Sequence, residues 1–257
     1  MSGLRTRRTN KTSGEGSSKW VKRLGDFRMK FDLPLQRGVL IRRYKRFLAD
    51  VEIEGHLKTM HCANTGAMLG CSDPGSRVWF STSSNTKRKY PHSLEIVETA
   101  ESQRVCVNTL QINRIVEEAL VNRVIDIGSD PFSKVIREVA IPGESGRFDF
   151  CVDETLIEVK SVTHEQGGVG YFPDAVSTRA TRHARALGRC RADGIRTILL
   201  FCAPHSGINK VMTADRIDPV YAAAVRDALE QGVEVMAFGC LISPDEIAVT
   251  HSIPFVT

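Results

Sequence analysis

The sequence predicts an α/β protein, α+β in the order of its layers, with a small β-barrel ahead of a mixed α/β unit. Three observations predict it. Residues 31 to 99 alternate short β-rich runs with turn signals. From about residue 113 to residue 202 the hydrophobic periodicity orders as helix, three strands, helix, strand. Two neighbouring strands of that succession carry Asp149 and the triplet Glu158-Val159-Lys160.

In the first part, strands are expected over 38–44, 47–54 and 56–62, with a turn at Gly55 between the last two. A short helix is expected over 63–70, capped by Asn64 or Thr65. After the turn signal Asp73-Pro74-Gly75 come strands at 77–81 and 93–97. Five strands with a small helix after the third match an OB-like β-barrel, and an SH3-like or other small barrel fits the pattern as well. Two basic stretches interleave cations with aromatics: Arg42-Arg43-Tyr44-Lys45-Arg46-Phe47 and Lys87-Arg88-Lys89-Tyr90. Single-strand binders track phosphates and stack bases with this combination, which makes Arg42, Arg43, Lys45, Arg88 and Lys89 candidate nucleic-acid contacts. The competing reading is a strand edge protected by charge.

In the second part, helix 113–120 precedes strands at 133–141, 147–152 and 155–162. Helix 178–192 and the apolar strand 197–202 follow, then helix 221–230 with Gly232 as C-cap and strand 233–238. Only Asp153-Glu154 separates the β-rich runs of the middle pair, which suits a tight hairpin. Side chains alternate along a strand, so Glu158 and Lys160 share a face. A register that brings Asp149 to that face gathers two carboxylates and an ammonium. Hard divalent cations such as Mg²⁺ or Mn²⁺ take carboxylate oxygens and waters, so Asp149 and Glu158 are candidate metal ligands, and all three are candidate catalytic residues. Lys160 would orient or help deprotonate water, or neutralise a phosphoryl oxygen. This is the D…ExK pattern of the PD-(D/E)xK nuclease-like fold. The competing reading is a cross-strand ion pair on a solvated face. That fold commonly takes a further carboxylate from its first helix, which favours Glu118 over Glu138. Arg182, Arg185 and Arg189 recur three and four apart on one helical face, where they can grip phosphates or simply coat an amphipathic surface helix. Asp174 is expected to cap that helix or to hold a basic group.

Charge is distributed unevenly. The 257 residues carry a net +5, but residues 1–30 hold nine Lys/Arg against Glu15 and Asp26, leaving 26 basic and 28 acidic residues for the rest. A basic arm over 1–30 is therefore expected to be disordered, either touching phosphates without reading sequence or serving as a solubilising tail. The barrel is assigned to 31–100 and the α/β unit to 101–257. The run lengths exclude a membrane helix, and the start has no apolar signal core. Seven cysteines without any CxxC point to reduced, buried thiols of a cytoplasmic protein rather than to zinc.

The chain resembles the sugar fermentation stimulation protein A (SfsA) family. The resemblance rests on Arg43 to Leu48, His61 to Met68, Arg88-Lys89-Tyr90, Val107-Asn108-Thr109 and Asn113. It is densest at Arg147-Phe148-Asp149-Phe150, Glu158 to Thr163 and Phe172-Pro173-Asp174-Ala175-Val176. The resemblance implies an N-terminal OB-like domain joined to a PD-(D/E)xK nuclease-like domain, DNA binding without sequence preference on single or double strands, and a role in regulating sugar (maltose) metabolism. Two departures stand out. Gly146 precedes Arg147 where the family usually has serine, with Ser145 one place earlier, and the basic arm has no family counterpart. Two further functions are weighed beside DNA binding. One is an active Mg²⁺- or Mn²⁺-dependent phosphodiesterase. The other is an oligosaccharide-binding regulator, for which Trp20 and Trp79 are the only tryptophans on offer.

Overall fold

A computed structural model describes residues 29–257, so the expected basic arm lies outside the described residues except for its last two. Those two form β1 (Met29–Lys30), with Met29 buried. The barrel follows as β2 (Gln36–Tyr44), β3 (Leu48–Ile53), β4 (His56–Cys62), β5 (Arg77–Thr82), β6 (His92–Glu98) and β7 (Arg104–Cys106). Strand order is β4-β3-β2-β5-β6-β7, and a parallel pairing of His61 and Cys62 with Ser93 and Leu94 joins β4 to β6. That pairing closes five strands on themselves around Leu40, Val51, Met60, Phe80 and Leu94. Closure removes the free sheet edge and selects the OB-like form among the small barrels.

The helix expected over 63–70 is absent, and the segment is an ordered loop. Its backbone groups find partners sideways instead of along a helix. The Arg43 guanidinium donates to the carbonyls of Asn64 (2.9 Å) and Gly66 (2.8 Å), and Asn64 Oδ1 accepts the N–H of Gly66 at 2.8 Å. With those groups satisfied, the helical alternative has little left to gain.

The second unit opens with α1 (Leu110–Val121) and continues through β8 (Ile136–Ala140), β9 (Arg147–Val152), β10 (Thr155–Ser161), β11 (His164–Gln166) and β12 (Val169–Phe172). Then come α2 (Thr178–Ala192), β13 (Thr197–Ala203), β14 (Lys210–Thr213), α3 (Pro219–Glu230), β15 (Glu234–Ile242), β16 (Glu246–Ile253) and β17 (Phe255–Val256). Seven strands order as β1-β16-β15-β13-β10-β9-β8, with β10, β13 and β15 parallel. On one face α1 packs Ile112, Ile115 and Val116 against Phe150, Ile157, Ile198 and Leu200. On the other, α2 and α3 pack Ala184, Leu187, Tyr221 and Val225 against Phe148, Leu199 and Phe201. A strand covered on both faces reads as a continuous apolar run, which is why every residue of β13 is buried. A second sheet, β11-β12-β14-β17, leads the chain into α2.

The two units share polar contacts. Glu95 of the barrel, only 2% exposed, accepts from Ser81 Oγ (2.6 Å), Asn108 Nδ2 (2.8 Å) and Gln111 Nε2 (3.2 Å), tying β6 to the start of α1. Backbone N–H of Cys106 donates to the carbonyl of Pro204 at 2.9 Å. No helix among the described residues is long and apolar enough to cross a membrane. The seven cysteines are free thiols, six of them buried.

Candidate metal and nucleic-acid site

β9 and β10 pair in antiparallel register down to Phe150 opposite Ile157. Beyond that pair the Asp149 side chain takes up a backbone donor, its Oδ2 accepting the N–H of Val159 at 2.7 Å. Its Oδ1 accepts from Asn113 Nδ2 of α1 at 2.8 Å. Glu158, 3% exposed, shares its Oε1 between Lys160 Nζ and His183 Nδ1 of α2. Its Oε2 has no partner among the described residues, and neither has His183 Nε2. Asp149, Glu158, Lys160 and Asn113 line one cavity of about 500 Å³.

The two carboxylates differ in their acidity. Burial raises the Asp149 acid, and the neighbouring Glu158 charge raises it further against the pull of Val159, Asn113 and Lys160. Burial also works to raise Glu158, but the Lys160 ammonium and the His183 bond outweigh it and hold Glu158 below the usual glutamate range. The pair therefore combines an ionised carboxylate with one whose charge is opposed by its surroundings. Such a site favours any cation placed between them.

The cavity belongs to both units. The barrel contributes Arg46, Asn64, Thr65 and Gly66, and the α/β unit contributes the segment from Tyr171 to Ser177 with Arg179. Asp174 latches the two walls: its Oδ2 accepts the N–H of Met68 at 2.8 Å. A Cβ on Gly66 would sit 2.6 Å from the same oxygen, so only glycine allows this approach. Asp174 is not the helix cap; Ser177 Oγ fills that role by accepting from the N–H of Ala180.

The remaining expected residues are dispersed. Glu118 accepts a hydrogen bond from the backbone N–H of Met29 and lies five residues along α1 from Asn113, about 140° around the helix. The α1 contribution to the cavity is thus Asn113 in place of Glu118. Glu138 is exposed on β8 with φ +55°, outside the cavity lining. Among the described residues no group of three or more His, Cys, Asp and Glu is arranged to hold a metal; of the three carboxylates that line the cavity, Asp174 is engaged by the N–H of Met68, and Asp149 and Glu158 are the two left on the sheet floor. Arg43 is occupied by loop carbonyls, including that of Arg46 at 2.8 Å. Arg42 pairs with the buried Asp50 at 2.8 Å and sits over Tyr44. Lys45 is exposed in the β2–β3 turn, Lys89 lies over the Tyr90 ring, and Arg88 reaches Ser93 Oγ at 3.2 Å. Arg182 and Arg185 are exposed on α2, while the neighbouring Arg189 pairs with Glu144 at 2.6 Å.

Of the further residues at the site, the sequence gives His183 no role of its own, Arg46 only a place in the basic stretch 42–47, and Arg179 only a place among the arginines of the helix expected over 178–192. The signal for His183 was its place on the buried stripe of α2, three residues after Ala180 and one before Ala184.

Comparison with known proteins matches this architecture. A model described as the SfsA N-terminal OB domain matches residues 41–107, and one described as the sugar fermentation stimulation protein RE domain matches 110–246. A sugar fermentation stimulation protein homolog from Pseudomonas savastanoi pv. phaseolicola is 46% identical over 228 residues, covering 86% of this chain and 96% of that protein. The homolog from Ectopseudomonas mendocina is 46% identical over 237 residues, 89% of this chain and 100% of that protein. A solved structure of Pyrococcus furiosus SfsA in complex with Ca²⁺ has the same fold, with a TM-score of 0.80 at 23% identity over 89% of this chain and 98% of that one. Matches in this order over nearly the whole described chain leave one conclusion: the chain belongs to the sugar fermentation stimulation protein family.

Proposed function

We propose that this protein binds DNA without sequence preference and hydrolyses its phosphodiester bonds with a divalent cation held by Asp149 and Glu158. The observation that carries the reading is the convergence of these two carboxylates with Lys160 on one polar cavity. The donor set fits a hard cation. Glu158 Oε2 has no partner among the described residues, the like charges of Asp149 and Glu158 oppose each other, and waters would complete the shell. The Pyrococcus furiosus relative was solved with Ca²⁺, a cation of the same oxygen-seeking class.

Such a cation supplies Lewis acidity and lowers the pKa of water that it binds. The chain's own groups do the rest. Asn113 and the N–H of Val159 fix the Asp149 carboxylate, while His183 and Lys160 hold Glu158 by one oxygen and leave the other free. The Lys160 ammonium, anchored beside Glu158, is placed to neutralise charge that grows on a phosphoryl oxygen. Hydrolysis adds one water across a P–O ester bond: hydroxide goes to phosphorus, and the other proton ends on the departing sugar oxygen. The exposed Arg182 and Arg185 on α2 add sequence-independent phosphate contacts.

The test is cleavage of supercoiled plasmid and of single strands with Mg²⁺ or Mn²⁺, comparing the native chain with Glu158→Gln. Cleavage by the native chain that the variant lacks is expected. Salt-sensitive retention of DNA without any cleavage would overturn the hydrolytic half of the proposal, and equal cleavage by both proteins would remove Glu158 from it.

A further inference from the structure

The groups proposed to do chemistry lie on the floor of the cleft. Glu158 is 3% exposed and Lys160 8% exposed. Above them the cleft is walled on one side by the barrel loop at Asn64–Gly66 and on the other by the segment from Tyr171 to Ser177, and Asp174 latches the two together. A duplex carries its phosphates on the outside of a stiff rod with a persistence length of about 150 base pairs, and it does not fold into a latched cleft. A single strand bends freely, and a space of about 500 Å³ is of the size that holds one small-molecule ligand, here one nucleotide.

The lining has the composition that such a strand needs. Tyr171 is one of the wall residues and only partly buried, with the His164 ring tilted against one side of its own at 5.9 Å, so it is the aromatic residue of the lining best suited to stack a base. Arg46 comes from the barrel and Arg179 from α2, and neither side chain has a carboxylate partner among the described residues. Arg179, Arg182 and Arg185 then continue along the exposed face of α2 at steps of three residues, about 4.5 Å of helix rise each. These cations make a track leading away from the cleft.

We infer that the cleft admits one nucleotide of a single-stranded DNA, with its base on Tyr171 and its flanking phosphates between Arg46 and Arg179. This rests on the DNA-handling function proposed above and names the form of its substrate. The two units are both required, because the barrel supplies one of the two phosphate contacts.

The experiment measures fluorescence anisotropy of the full chain, without divalent cations, on a labelled single strand and on a hairpin-closed duplex of the same sequence. It is repeated with Arg46→Asn, Arg179→Gln and Tyr171→Leu. Asparagine is chosen at 46 because φ there is +63°, which asparagine tolerates. Expected are about tenfold tighter binding of the single strand and a loss of roughly fivefold or more on it from each substitution, with little change on the duplex. Equal or tighter binding of the duplex overturns the inference, and so does single-strand binding that all three substitutions leave intact. In either case the proposed hydrolysis stands if Mn²⁺-dependent cleavage is lost in Glu158→Gln. Binding of neither DNA removes the proposed function and the inference together.

Discussion

Glu158→Ala is the substitution that first suggests itself, and it should fail for reasons of folding before it reports on catalysis. Lys160 is 8% exposed and His183 1% exposed on its side chain, and both depend on Glu158 Oε1. Alanine removes that oxygen and leaves an ammonium buried without its partner, a change that typically costs about 3–5 kcal/mol. Asp149 can recover part of this by attracting Lys160, but its oxygens already serve Val159 and Asn113, so the lower end, about 3 kcal/mol, is expected. For a chain of this size that is a fall of roughly 6–12 °C in Tm. Glu158→Gln also removes the counter-charge but keeps an oxygen acceptor for both neighbours, so it should cost about 1.5–3 kcal/mol less than alanine, the worth of a hydrogen bond to a charged group. Urea denaturation checks this: the midpoint for the alanine variant should drop well below that of the glutamine variant with the slope unchanged. Unfolding free energies of the two variants that agree to within about 1 kcal/mol would refute the argument that Glu158 holds a buried cationic cluster.

Three further predictions follow from the same geometry. Because burial and Glu158 raise the Asp149 acid, the folded chain holds that proton more tightly than the unfolded chain, and its stability contribution is lost as pH rises from the unfolded value, about 3.9, through the raised folded one. Asp149→Asn should therefore be more stable than the native chain at pH 7 in EDTA, with the gap closing as pH falls through the carboxylate range; thermal midpoints at several pH values decide it, and a less stable variant at pH 7 contradicts it. Neutralising Arg182 and Arg185 together should lower the slope of log affinity against log salt by about two phosphate contacts, roughly 1.4 on a single strand, for every sequence alike. Arg43→Ala should instead destabilise the fold by about 2–3 kcal/mol, measured by urea, because its guanidinium bonds the carbonyls of Arg46, Asn64 and Gly66.

What could be read from the sequence was whatever has a period. Alternation along β10 placed Glu158 and Lys160 on one face, and the 3.6-residue stripe delimited α2 at Thr178–Ala192 as expected. The unbroken apolar run at 197–202 announced a strand, which the structure buries on both faces as β13. Position in space had no such signature. Nothing local distinguishes Asn113 from Glu118, yet five residues of helix send one to the cavity and the other to Met29. The loop at 63–70 carried a capping residue and looked helical, but its partners, Arg43 and Asp174, come from 21 and 106 residues away. Strands β11, β12 and β17 have three, four and two residues, too few for a pattern to emerge. The basic stretches were legible as charge, while the division of labour within them depends on tertiary partners: Arg43 holds a loop together, and Arg46 beside it faces the cleft.

The short strand β1 has a practical bearing on how the basic N-terminal residues can be studied. Met29 and Lys30 pair with Ile247 and Glu246 on the outer side of β16, and the Met29 side chain is sunk into the core beside α1. A chain beginning at Phe31 would lose that side chain, strip Glu118 of its backbone donor and bare the last covered stretch of a long strand to pairing with another copy. Self-association of such a chain would then imitate a loss of DNA binding. Deletions meant to isolate the effect of the arm's charge should stop at residue 28.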